Sequence, residues 1–369
     1  MARRKKSRAI GVIAVVMAGV ALVGVALLLV RLRPYWVAKH RGRSADLRGA
    51  LLPRARLAGV DLEQADLRNA LLAGADLHGA ALGWALLDGA NLRGADLSGA
   101  DLEQALARGA HLDRANLNGT RARVADLSGA DLAGARLVGS FLQAVRLVGA
   151  NLAGADLTGS RLSFADLTQA DLTGAHLVGD QLSGTKLRGA NLAGADLRRA
   201  VYDRTTRWPV GFAPRARGAF LAAPGVDGRG AALSGALLEG APLEGADLRG
   251  AHLEHAELMS ARLGKADLRK ADLRAAHLEE GALWLAHMEK ADLRGAFMRG
   301  ANLQGADLRE ARLESADLRA ADLRGAWLEG AKMGVKTLTE SNLHAALYDR
   351  RTRWPAGFSP QAHGARWAR

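Results

Sequence analysis

Ala45-Asp46-Leu47-Arg48-Gly49 opens a pattern that returns every five residues. Taking Leu47 as the centre of its unit, centres recur at Leu52, Leu57 and onward to Leu197. That makes 31 units, in which only Ala107 and Ala122 replace Leu. A second array runs from Ala231 to Ala345 with 23 centres between Leu233 and Leu343, and Met288, Met298 and Met333 are its only substitutes for Leu. Ala stands two residues before most centres, as at Ala65, Ala95, Ala246 and Ala266. Regularity on this scale signals a repeat architecture.

A period of five suits neither common element. Five residues turn a helix by about 500°, which scatters successive Leu around it. In a flat strand an odd period sends successive Leu to opposite faces. The geometry that serves every unit is a short extended segment followed by a corner. Ala and Leu, two apart, both point inward. Gly is frequent two places after the centre, as at Gly49, Gly74, Gly94, Gly250 and Gly295, where a corner can require positive φ. Four corners close a square coil of about twenty residues, with Leu stacked in inward columns. The expected core is represented by Leu47, Leu67, Leu97, Leu127, Leu157 and Leu197 in the first array. Leu248, Leu268, Leu293 and Leu323 represent it in the second. Ala107 and Ala122 should leave thin spots.

Each array ends in the same way. Tyr202-Asp203-Arg204-Thr205-Thr206-Arg207-Trp208-Pro209-Val210-Gly211-Phe212-Ala213-Pro214 closes the first, and residues 348–360 repeat it with ten of thirteen positions identical. The array and its terminator are therefore duplicated. Tyr202 and Tyr348 occupy the next centre in register. Trp208, Pro209 and Phe212, like Trp354, Pro355 and Phe358, supply a bulky lid for an open hydrophobic end. A partner-binding aromatic patch is the sharper alternative. Pro224, Gly225, Gly228 and Gly230 suggest a flexible joint.

The repeat resembles the pentapeptide repeat family, whose motif is similar to Ala-(Asp/Asn)-Leu-x-x. The terminator resembles that family's Tyr-Asp…Thr…Trp/Phe-Pro-x-Gly-Phe-Asp-Pro ending, with Ala213 and Ser359 where Asp is usual. The resemblance implies a fold of two right-handed quadrilateral β-helices in tandem. The expected organisation is a basic tail at 1–8, a transmembrane helix at 9–30 and a basic juxtamembrane segment at 31–44. Array 1 follows at 45–199, a cap and linker at 200–230, array 2 at 231–345 and a C-terminal cap at 346–369.

The charge of +13 is concentrated at one end, since residues 1–44 contribute +10. Basic residues flank an uncharged stretch from Ala9 to Val30, 22 residues long. As a helix that stretch would span about 33 Å, the hydrocarbon thickness of a bilayer. The expectation is a single-pass protein of the cell membrane in contact with the lipid bilayer. The flanking charges balance, so only the family resemblance places the arrays on the cytoplasmic side.

Chemistry is not evident. The absence of Cys excludes disulfides and thiolate sites. No two His residues of the arrays lie 20 apart, the spacing that would stack them in adjacent coils, and His252 and His255 have no obvious third ligand. No catalytic, cofactor or metal residues are proposed, and an enzyme is not expected. Asp before the centre points outward. The column Asn91, His111, Asp131, Asn151, Asp171, Asn191 intersperses Asp with neutral partners, which spares like charges from stacking. The functional expectation is a non-enzymatic, membrane-anchored scaffold or protein-interaction rod with an unidentified protein partner or with self-association. Some family members mimic DNA and bind type II topoisomerases, which requires a strongly acidic surface. Here the arrays carry only −1 and −3, so that alternative ranks lower. Nucleic-acid or anionic-lipid binding by cap arginines such as Arg204, Arg207 and Arg350 is also disfavoured.

Overall fold

The computed structural model describes residues 33–334, 338 and 340–368. Both arrays are coils of twenty residues joined by parallel bridges such as Asp46↔Asp66, Asp66↔Leu86 and Asp247↔Asp267. Two hydrogen bonds recur per unit. Leu47 N–H donates to the Asp66 carbonyl at 2.8 Å, and Asp66 N–H donates to the Ala45 carbonyl at 2.9 Å. Each corner is a β-turn closed by a bond such as Ala50 N–H to the Leu47 carbonyl, 3.0 Å, with a left-handed third residue. The ladder therefore satisfies the backbone of extended segments too short to pair within themselves.

Sequence and burial coincide along both interiors. The ten representative core leucines named above are each at most 5% exposed, and Met288, Met298 and Met333 are fully enclosed. Next to Ala107 the stacked leucines leave an interior void of about 10 Å³, lined by Leu102, Leu112 and Leu127 among others.

The N-terminal expectation needs correction. The stretch 9–30 lies outside the described residues, and among the described residues no helix is long and apolar enough to cross a membrane. The single-pass membrane localisation therefore does not stand. The chain is helical at 33–41, about 13 Å at 1.5 Å per residue. It carries Arg33, Lys39 and Arg41 and lies against the first coil. Ala38 is buried in the core of array 1, with Tyr35 and Val37 packed beside it. The segment expected beside a membrane is thus a lid on the open end of the rod. Gly42 makes the approach possible, because a Cβ there would collide with the carbonyl oxygens of Asp61 and Ala38.

The terminators carry the only extended pairs longer than a single bridge among the described residues. Strand β1 (Val201–Tyr202) pairs in parallel with β2 (Phe220–Leu221), and β3 (Leu347–Tyr348) with β4 (Arg366–Trp367). Tyr202 and Tyr348 are buried. Trp208 meets Tyr202 edge-on at 5.3 Å and stacks on Phe212 at 5.2 Å, and Trp354 repeats this with Tyr348 and Phe358 at 5.7 and 5.2 Å. Pro209 and Pro355 are half-buried, and their carbonyls accept the Phe212 and Phe358 N–H groups. One added residue lengthens the ladder here, so that Lys186 bridges Arg207 and Lys332 bridges Arg353. The buried Thr206 and Thr352 hydroxyls donate to the carbonyls of Leu182 and Leu328.

Residues 223–230 are already coiled, in place of the expected joint. Gly225, Gly228 and Gly230 donate to the carbonyls of Glu244, Asp247 and Arg249. Gly228 occupies a centre position without a Leu side chain. Phe220 fills that volume instead, its ring 2.9 Å from where a Gly228 Cβ would stand. Val201, outward-facing on array 1, is buried in the core cluster that begins array 2. Arg161 reaches Glu239 at 2.8 Å and Glu257 at 2.6 Å. A coaxial continuation would hold Arg161 and Glu257 roughly 20 Å apart at ~4.8 Å per coil. The start of array 2 therefore lies against the side of array 1.

Candidate interaction surface

The corner of array 1 that follows centres 62, 82 and onward is occupied by Gln64, Trp84, Gln104, Val124, Ala144, Phe164 and Gly184. Every one has positive φ, between 55° and 70°. Trp84, Val124 and Phe164 are 52%, 58% and 67% exposed. They stand two coils apart, about 10 Å at the ~4.8 Å coil spacing, and form a ridge about 20 Å long. Left-handed backbone disfavours side chains with a Cβ and is an outlier for a β-branched residue such as Val124. Phe164 lies across the next corner, where only a hydrogen at Gly184 leaves room for its ring. Sequence reasoning missed this ridge because it tracked the centres. Its signal is the forty-residue interval between large apolar residues at the turn position.

Array 2 has a second exposed apolar area around Leu285 and Trp327, edged by Lys265, His287 and Asp307 and forming a shallow pocket of about 390 Å³. His287, Glu289 and Asp307 bring ligand-type atoms within 4.8 Å of one another. Arg309 already occupies that ground. Its guanidinium pairs with Asp307, lies 3.6 Å from Glu289 and covers the Trp327 ring at 4.9 Å. A cation would have to displace a cation, so the cluster reads as an ion-pair network. A twenty-residue spacing of His does not reveal it, because two of its members are carboxylates.

Eight copies of the profile described as pentapeptide repeats match residues 43–79, 52–89, 85–121, 125–163, 165–201, 229–264, 266–305 and 298–334. The chain belongs to the pentapeptide repeat family. No curated protein matches it as a relative. Among solved structures it is similar to HetL of the cyanobacterium Nostoc sp. strain PCC 7120, a pentapeptide repeat protein involved in heterocyst differentiation regulation. The identity is 27%, over 82% of this chain and 95% of that one, with a TM-score of 0.21. A thylakoid-lumen pentapeptide repeat protein of Arabidopsis thaliana is 35% identical over 29% of this chain and 68% of its own, TM-score 0.21. Trypsin-treated QnrB1, a plasmid-mediated fluoroquinolone resistance protein, is 18% identical over 48% and 90%, TM-score 0.24. Superpositions this loose carry no functional argument.

In this pentapeptide repeat protein the outward Asp residues do local work. Asp247 accepts the Arg249 backbone N–H at 3.4 Å and takes the Arg249 guanidinium in a fork at 2.8 and 2.6 Å. The same fork joins Asp46 to Arg48, Asp66 to Arg68 and Asp322 to Arg324. Arginine thus separates Asp residues stacked directly on Asp, as in the column Asp227, Asp247, Asp267. Where Arg is missing, Asn serves, and Asn151 donates to Asp131 at 3.0 Å.

The terminator carboxylates tie the last turn to the preceding coil. Asp349 Oδ1 accepts the N–H groups of Gly330, Arg351 and Thr352. Burial works against its charge, but the bonds from Arg351 and Gly330 outweigh this and hold its pKa down at about 2. Asp349→Ala is expected to cost array 2 about 1.5–3 kcal/mol at neutral pH, the scale of hydrogen bonds to a charged group. Because the folded value is depressed, that contribution is present above the usual carboxylate range and is lost as pH falls toward 2. Thermal melts of both proteins at pH 7 and pH 2.5 would show the gap closing.

Proposed function

We propose that this pentapeptide repeat protein is a non-enzymatic interaction rod that holds a protein partner along the Trp84–Val124–Phe164 ridge. The supporting observation is that three large apolar side chains are held in solvent on a backbone that disfavours them. Neither feature helps the coil, whose other corners in array 1 use Gly, Ala or polar residues. Strain retained at an exposed position points to use of that position. Regular spacing lets a partner read the ridge as a row of knobs. Near-neutral arrays do not favour the DNA-mimic alternative.

Val124→Gly separates fold from function. Removing the β-branched side chain from left-handed backbone is expected to raise stability by about 1 kcal/mol. A photo-crosslinking residue at Phe164 should capture one discrete species, a partner or a second copy of this chain, and Val124→Gly in the same chain should reduce that capture. Identical capture from position 164 and from a control position on the opposite face, such as Thr173, would sink the proposal.

A further inference from the structure

The junction of the two arrays holds a cleft of about 720 Å³ whose floor includes Ala219, Phe220 and Leu233. Its rim carries Arg198, Arg199, Arg215 and Arg229 against a single carboxylate, Asp227. Two of these arginines are already paired. Arg198 forks onto Asp196 and Arg229 onto Asp227. The other two have no carboxylate within 4 Å among the described residues. Arg199 donates only to the Ser234 carbonyl at 3.4 Å and Arg215 only to the Asp227 carbonyl at 3.3 Å. They come from different elements, Arg199 from the last corner of array 1 and Arg215 from the 3-10 helix Pro214–Arg217.

The duplication supplies an internal control. A shift of 146 residues carries β1 onto β3 and β2 onto β4. Under that shift Tyr202, Trp208, Pro209 and Phe212 meet identical residues, because capping requires them. Arg198, Arg199 and Arg215 meet His344, Ala345 and Gln361. Closing a rod end therefore does not require these arginines, and they occur at the terminator that faces a second array.

We propose that this cleft binds a compound bearing two or more phosphate groups. Planar guanidinium forks match phosphate oxygens, two of them lack anionic partners, and the apolar floor can accept a flat group attached to the phosphates. Walls from both arrays mean that an occupied cleft would tie array 2 to the side of array 1. This inference is independent of the ridge.

The test is calorimetric titration of the full chain with pyrophosphate, ADP and adenosine at low and at physiological salt. Pyrophosphate and ADP are expected to bind and adenosine is not. Tighter binding of ADP than of pyrophosphate would assign the floor to a base, and equal binding would assign the site to the phosphates alone. Arg199→Ala and Arg215→Ala remove exposed side chains that pair with no carboxylate, so the fold should persist. Each is expected to weaken binding about tenfold, while Arg350→Ala, on the other terminator, leaves it unchanged. Absence of binding by pyrophosphate and ADP at millimolar concentration overturns the proposal. So does equal weakening by all three variants, which would show diffuse charge attraction.

Discussion

Leu268→Ala is expected to lower the stability of array 2 by about 2–5 kcal/mol, the range for emptying a fully enclosed Leu position. Leu268 is wholly buried, between Leu248 and Met288 in its column. Little can move in to fill the gap. The surrounding Ala methyls are too short to reach into it, and the flanking leucines are already packed in columns of their own. The backbone on either side is pinned by coil-to-coil bonds, Leu268 N–H to the His287 carbonyl and Asp267 N–H to the Ala246 carbonyl. Met288, with its flexible side chain, is the neighbour able to lean inward, which argues for a cost below the upper end. A repeat rod distributes such damage to its nearest neighbours first. Hydrogen exchange should therefore accelerate in the coils around residues 248–288, with residues 60–160 unchanged. A cost below about 1 kcal/mol would mean that the coils close over the gap, against the rigid, fully packed column described here.

The interior was legible because it obeys one rule throughout. Leu at the centre and Ala two places earlier are set by the narrow square interior, and that constraint repeats at each unit. The terminators were legible because duplication exposes them. Other features have no repeating cause. The helix at 33–41 buries Ala38 and half-buries Tyr35 and Val37, too few apolar positions to produce a period, and it follows a long uncharged run that suggests a different environment. The start of array 2 was hidden because Gly228 breaks the Leu rule, and its missing side chain is replaced by Phe220, eight residues upstream and out of register. The Asp–Arg forks join residues two apart across a corner, a spacing that brings side chains together only once the turn is known. The ridge uses the one position in each unit where Gly is optional, so its residues follow no consensus. In each case the feature depends on a contact between positions that the five-residue rule treats as unrelated.

Asp180→Asn is expected to stabilise array 1 at neutral pH, by about 1–3 kcal/mol, the cost of leaving a buried polar group unsatisfied. Asp180 takes the inward position normally given to Ala, in a column with Thr120, Ser140, Ser160 and Ala200. It is completely enclosed. Oδ1 accepts the Ser160 N–H at 2.9 Å, while Oδ2 has no hydrogen-bond partner. Thr120 and Ser140 occupy the same column without penalty, because the Thr120 hydroxyl lies within reach of the Leu97 and Leu117 carbonyls and the Ser140 hydroxyl donates to the Leu117 carbonyl. Ionised, Asp180 has no proton to donate, and no cation pairs with it among the described residues. Burial pushes its pKa well above the usual range, against the weaker pull of the bonds from Ser160. The sign of the pH effect follows. The folded chain keeps a proton on Asp180 that the unfolded chain releases above about pH 3.9. Stability from this position is therefore full below that pH and is lost as pH rises through the folded value. Asn keeps the Oδ1 acceptor and the shape without the charge, and Ser160 Oγ, also buried without a partner, is available to accept from its amide. Thermal melts of wild type and Asp180→Asn at pH 7.5 and pH 4 should show the variant ahead by several degrees at the higher pH and level at the lower. A gap that does not change between the two would mean that Asp180 binds its proton equally in the folded and unfolded chains, which would overturn the raised folded value.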